Sequence, residues 1–200
     1  MFIPKVRGHK SRLMVTMALL GWLGLAACSV SVKDHDKDGN SKVDIDTPFG
    51  GIHVNEEADA RETGLDVYPG ARVKPKSSDG DSKSANVNIS SGLFGVKVVA
   101  VEYESDDAPE KVLTFYRAQL KKYGSVVECR SNRQGGDLNV NTGDAKSRPV
   151  SCEGDNHGNV VELKTGTEDN QHLVSVEPDG KGSDFSLVYI HARGKKQGSI

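Results

Sequence analysis

The sequence predicts an α+β domain: an antiparallel sheet of short strands with one main amphipathic helix, about 108–123, packed on one face. Three observations predict it. Short runs that alternate apolar and polar residues recur from 29 to 193, which is the period-two signature of half-buried strands. Clusters of Gly, Asn, Asp and Pro separate the runs, as turns require. Only the stretch after Asp107 repeats its apolar residues at three- and four-residue steps, the spacing of a helix with one buried stripe.

The first elements form a small β-meander at 28–55. Val30 and Val32, Val43 and Ile45, and Ile52 and Val54 each share a face, with Asp38-Gly39-Asn40 and Pro48-Phe49-Gly50-Gly51 as the turns between. Residues 56–64 are charged and weakly apolar and read as a linker. The main domain is predicted at 65–193, and 194–200 as a flexible tail. Tyr68-Pro69-Gly70-Ala71 suits a type II turn, with Gly70 where φ must be positive. Residues 74–86 are polar and read as an exposed loop. Strands follow at 87–89 and 96–104, where Val99, Val101 and Tyr103 share a face.

The helix has clear ends. Asp107 with Glu110 three residues on resembles a capping box, and Pro109 sits in the first turn, where a missing N–H costs little. Val112, Leu113, Tyr116, Leu120 and Tyr123 make the apolar stripe. Lys121 and Lys122 favour the negative end of the helix dipole, and Gly124 can stop it. Beyond it, strands are predicted at 126–129, 150–152, 160–164, 173–177 and 185–192. Turns at 166–170 and at Asp179-Gly180 make the last three a hairpin meander.

The first thirty residues set an address. Lys5, Arg7, Lys10 and Arg12 precede an apolar run of about thirteen residues at 13–25, too short for the roughly 20 that span a bilayer. A basic start, a short apolar core and small residues after it describe a secretory leader. Leu25-Ala26-Ala27-Cys28 then matches the lipobox of bacterial lipoproteins. That resemblance implies cleavage after residue 27, a diacylglycerol on the Cys28 thiol and an acyl chain on its amine. Two or more chains hold a protein firmly where one does not. Ser29 resembles the pattern of lipoproteins sent to the outer membrane, facing the periplasm, in cells with two membranes.

Composition narrows the partners. Without 1–27 the chain has 22 basic and 28 acidic side chains, a formal charge of −6. This excludes nucleic acid, which needs a basic patch, and electrostatic adhesion of the whole domain to anionic lipid. The remaining 173 residues suffice for one domain with a core. With Cys28 lipidated, Cys129 and Cys152 form an even pair in an oxidising space and read as a disulfide. Their spacing fits neither a redox CxxC nor a zinc site.

"DVYPGA", "DDAPEKVLTFYRAQLKKYG", "VECR" and "VELKTGTEDNQHLVSVEPDG", in that order, resemble a group of uncharacterised bacterial lipoproteins over roughly 65–193. The likeness implies the fold and the address and brings no activity.

Candidate chemistry is sparse. Asp34, Asp36 and Asp38, with Gly39 sixth from Asp34, match the start of an EF-hand loop. Ser41 and Ile45 break the pattern where it needs an apolar residue and a Glu. A hydrated acidic turn is the better reading, with Asp44 and Asp46 pointing outward from a strand. No His pair has metal-ligand spacing, although His172 and His191 lie on strands that can pair. Tyr68 is a candidate recognition residue or a rigid turn packed on the helix. Thr167, Asp169 and His172 mark a polar hairpin surface whose simpler reading is a solvated tip.

The expected function is therefore a membrane-anchored, non-catalytic envelope module that binds an envelope protein or polymer and needs no cofactor beyond its lipid. The alternatives are an envelope hydrolase whose carboxylates meet only in the fold, and a calcium-stabilised structural module.

Overall fold

Alternation of side chains along strands, and the need to bury one face of each, organises the whole chain. The structure is a computed structural model and describes residues 29–33, 42–55, 58–74, 84–92, 94–132, 148–154 and 156–194. Its strands are β1 (Ser29–Lys33), β2 (Lys42–Thr47), β3 (Gly50–Asn55), β4 (Arg72–Val73), β5 (Ser84–Ser91), β6 (Phe94–Ser105), β7 (Val127–Ser131), β8 (Val160–Thr167), β9 (Asn170–Asp179) and β10 (Gly182–Gly194). The helix α1 (Pro109–Leu120) runs into a 3-10 turn, Lys121–Tyr123. All strands join one sheet in the order β1-β2-β3-β5-β6-β10-β9-β8-β7, with β4 added to β6. Every pairing is antiparallel.

Two meanders meet at the β6–β10 seam. The register there stacks apolar rows under the helix. Tyr103, Phe185, Val176 and Val161 form one row; Val101, Leu187, Val174 and Leu163 form the next. Val112, Leu113, Tyr116 and Leu120 of α1 close over them, and Tyr116, Leu120, Leu163 and Leu187 are fully buried. A side chain of this kind contributes about 1.5–3 kcal/mol by leaving water. On the opposite face Leu173, Val188 and Ile190 pack with Val98 and Ala100. That face also buries Glu162 beside Lys164, 2.9 Å apart with side chains only 1% and 3% exposed. Pairing is what makes such burial tolerable.

The fold class and the helix agree with the sequence reading, and the type II turn is present: Ala71 N–H donates to Tyr68 O at 3.0 Å and Gly70 has φ +80°. Several expectations need correction. The helix cap is Ala108, which has no side-chain capping bond. Asp107 stands one residue too early, and its carboxylate is taken by Lys111 and Tyr68. The strands of the N-terminal meander continue into the main sheet, because β3 pairs with β5 and β5 with β6. Ala60 and Thr63, inside the expected linker, are buried, since a 3-10 turn at Ala60–Thr63 packs on the sheet. Residues 150–152 form no strand; only the bridge Pro149–Thr167 precedes them. β8, β9 and β10 are longer than predicted and are buried on both faces.

Cys129 and Cys152 are bridged, with Cα atoms 5.4 Å apart. The bridge fastens the far edge strand β7 to the segment before β8. Closing a loop of 23-residue separation is worth roughly 3 kcal/mol through chain entropy. The double variant Cys129→Ser/Cys152→Ser is expected to lose about that much stability in urea denaturation.

Candidate functional site

The tyrosine turn is built before α1 and clamped against it. Tyr68 is buried, edge-on to Phe115 at 5.2 Å and to Phe185 at 6.4 Å between centroids. Its N–H donates to the Tyr116 hydroxyl at 3.0 Å, and Asp66 N–H donates to Gln119 Oε1 at 2.9 Å. Its hydroxyl donates to Asp107 Oδ2 at 2.9 Å, and Lys111 Nζ donates to Asp107 Oδ1 at 2.6 Å. Lys111, and then Tyr68, holds the Asp107 carboxyl below the usual carboxylate range. Burial, followed by the Asp107 carboxylate, pushes the Tyr68 hydroxyl up. Burial also raises Tyr116 far above the ordinary tyrosine value. All three groups therefore keep one protonation state near neutrality, which suits a fixed scaffold better than proton transfer.

Outside this clamp lies an open groove of about 570 Å³, lined by Tyr68, Pro69, Asp107, Glu110, Lys111, Thr114 and Phe115. Its lining combines aromatic and proline surface with side chains of both charges. Such a surface can hold an apolar group of a ligand and orient it by ion pairs. The sequence pointed to Tyr68 but missed Asp107, Lys111, Thr114 and Phe115 as neighbours of it. One signal was present: Phe115 stands one position off the Val112–Tyr116 stripe, so it faces the rim of the buried surface.

His172 is a second node. It is buried with 8% exposure, stacked on Tyr123 at 3.7 Å and tilted against Tyr189 at 4.8 Å. Its Nδ1 bonds Thr63 O at 2.8 Å. Lys122 Nζ and the Tyr123 hydroxyl both donate to Gly64 O, at 2.9 and 2.6 Å. Gly64 has φ +73°, and a Cβ there would stand 2.4 Å from the Tyr123 hydroxyl, so only glycine fits. His172 thus fixes the 3-10 turn to the sheet instead of standing on a solvated surface, and burial lowers its pKa. His191 lies on the same face beyond Tyr189 and is exposed; the two histidines do not meet.

The other candidates are placed as follows. Thr167 donates its hydroxyl to Asp169 at 2.7 Å, and Asp169 O accepts from Ala192 N at 2.7 Å. That hairpin tip is therefore tucked against β10. Asp44 and Asp46 lie on either side of His53, with Asp44 Oδ1 3.0 Å from Nδ1 and Asp46 Oδ1 3.6 Å from Nε2. With a carboxylate on each nitrogen, the ring is not set to activate a nucleophile. Leu25, Ala26, Ala27, Cys28, Asp34, Asp36 and Asp38 lie outside the described residues. Among the described residues, no three His, Cys, Asp or Glu side chains are grouped to hold a metal ion.

Comparison with known proteins gave no match to a family, to a curated protein or to a solved structure.

Two predictions follow the geometry of these nodes. Tyr116→Phe leaves the buried Tyr68 N–H without an acceptor, a loss of about 1–3 kcal/mol, measured by chemical denaturation. For His172 the pH dependence is set by sign. Below the ordinary histidine pKa of 6.5 the unfolded chain takes up a proton that the folded chain, with its lowered pKa, still refuses. Stability is therefore expected to fall as pH drops through that window, and to level off once the folded pKa is passed. In His172→Gln, denaturation midpoints measured across pH should lose that part of the slope.

Proposed function

We propose that the chain is an envelope lipoprotein, cut after Ala27 and lipidated on Cys28, whose domain binds an envelope protein without transforming it. The observation that carries this reading is the run Leu25-Ala26-Ala27-Cys28 at the end of a short apolar segment. No helix of the described residues is long and apolar enough to cross a membrane. In this reading lipid supplies the attachment.

The groove beside Tyr68 supports binding as the domain's task. Its lining is mostly apolar and includes Asp107, Glu110 and Lys111, and Tyr68 is held in it by hydrogen bonds through its backbone N–H and its hydroxyl. A preorganised surface loses little freedom when a ligand arrives. The occupant it fits is a segment of protein carrying an apolar side chain and a nearby charge.

Labelling cells with a radioactive fatty acid tests the anchor. The natural chain is expected to take up label and sediment with membranes; Cys28→Ala is expected to do neither. An unlabelled natural chain would overturn the assignment. Site-specific photo-crosslinking from Thr114 tests the groove. An adduct that Lys111→Glu removes supports it, while the same adducts from Thr114 and from a distant exposed position such as Lys181 count against it.

A further inference from the structure

The strand register places three features at one end of the sheet. Ser29 pairs with Asp46, Asp46 with Gly51, Gly51 with Ser90, Ser90 with Gly95, and Gly95 with Arg193. The first strand therefore begins level with the tip of the β2–β3 hairpin, the tip of the β5–β6 hairpin and the end of β10. The two tips are bonded to each other, Gly92 N–H donating to Phe49 O at 3.3 Å. Phe49 is 85% exposed and Phe94 44% exposed. These are the two exposed phenylalanines among the described residues. Both sit at the end where the chain leaves Ser29 for Cys28.

Turn tips in water are built from polar residues, Gly and Pro. An aromatic ring standing out of a tip has no packing reason to be there. Two exposed phenylalanines on turns joined by a backbone hydrogen bond give this end an apolar character, the kind of surface that enters the boundary between headgroups and acyl chains. Arg193 is exposed at the same level; of the acids at this end, Asp46 stands 3.6 Å from His53 Nε2 with its side chain 64% exposed, and Asp169 accepts from Thr167. The domain as a whole is acidic, so this contact is local and apolar, not a general adhesion.

We propose that this end of the sheet is the membrane-contacting surface, with the Phe49 and Phe94 tips seated in the lipid interface and Arg193 against the headgroups. The inference rests on the lipid anchor at Cys28. With the anchor in place the tips are held at high effective concentration over the bilayer, so a weak insertion suffices. The sheet then stands on its end. The groove beside Tyr68 and Asp107 follows the other end of β6, which is 12 residues long, so it is carried about 40 Å from the tips.

The test uses the chain from Cys28 onward, in which the other two cysteines are bridged. The Cys28 thiol is coupled chemically to a maleimide lipid in vesicles of phosphatidylcholine and phosphatidylglycerol. The single tryptophan of the sequence, Trp22, precedes Cys28, so Phe49→Trp is the only indole present. We expect its emission to shift to the blue on anchoring and to be quenched several-fold by brominated lipid. Lys181→Trp, at the β9–β10 turn, is expected to show neither. Emission from Phe49→Trp that stays water-like and unquenched, or equal quenching of both reporters, would overturn the proposal. Because the lipid is added chemically, this failure is distinct from a failure of Cys28 to be lipidated in cells.

Discussion

The seam between β6 and β10 is the constraint on which the other elements depend. Its pairs run from Ser105 with Ser183 to Phe94 with Gly194. Because side chains alternate, this register fixes which face each residue of both strands presents, and a slip of one residue would turn every core side chain outward. The N-terminal meander then grows from the free edge of β6, and β9, β8 and β7 grow from β10. The helix leaves the end of β6 and must cross to the far edge, which lays it over the rows that the seam has created.

What the helix does not cover is as informative as what it does. The rows headed by Tyr103 and Val101 lie beneath α1. The next row, Val99, Tyr189, His172 and Thr165, is past its buried stripe. Tyr123 and the Ala60–Thr63 turn cap that row through His172. The row after it, Lys97, His191, Asn170 and Thr167, is polar. Lys97 there bonds Glu62 at 2.7 Å, tying the same turn down a second time. A stretch with little apolar content is thus held by specific polar contacts, and its stability is more sensitive to pH and to single substitutions than that of the aliphatic core.

The fold supplies two surfaces with different chemistry at opposite ends of β6. One is a pair of aromatic tips near the first strand; the other is a groove pinned by Tyr68, Tyr116 and Asp107. In the proposed reading, separating them along a long strand leaves one end for attachment and the other for a partner. The Tyr68 and Tyr116 hydroxyls and the half-exposed Asp107 carboxylate are fixed in hydrogen bonds, so this end of the fold is a rigid surface.

The sequence by itself determined the α+β class, the helix with its stripe, the type II turn at Tyr68 and the pairing of Cys129 with Cys152. Each depends on local periodicity, on turn chemistry or on having only one partner to choose. It misjudged what long-range contacts govern. Asp107 looked like a helix cap because capping is a local pattern, but Tyr68, 39 residues away, competes for its carboxylate. His172 looked exposed because nothing near it in sequence is apolar enough to cover it; its partner Thr63 is 109 residues distant. The 56–64 linker looked separate because charged and polar residues dominate it, whereas its 3-10 turn buries Ala60 and Thr63 against the sheet. Alternation tells which residues of a strand share a face. Only the tertiary structure decides what lies against that face, because the covering residues come from chain segments whose approach leaves no local trace.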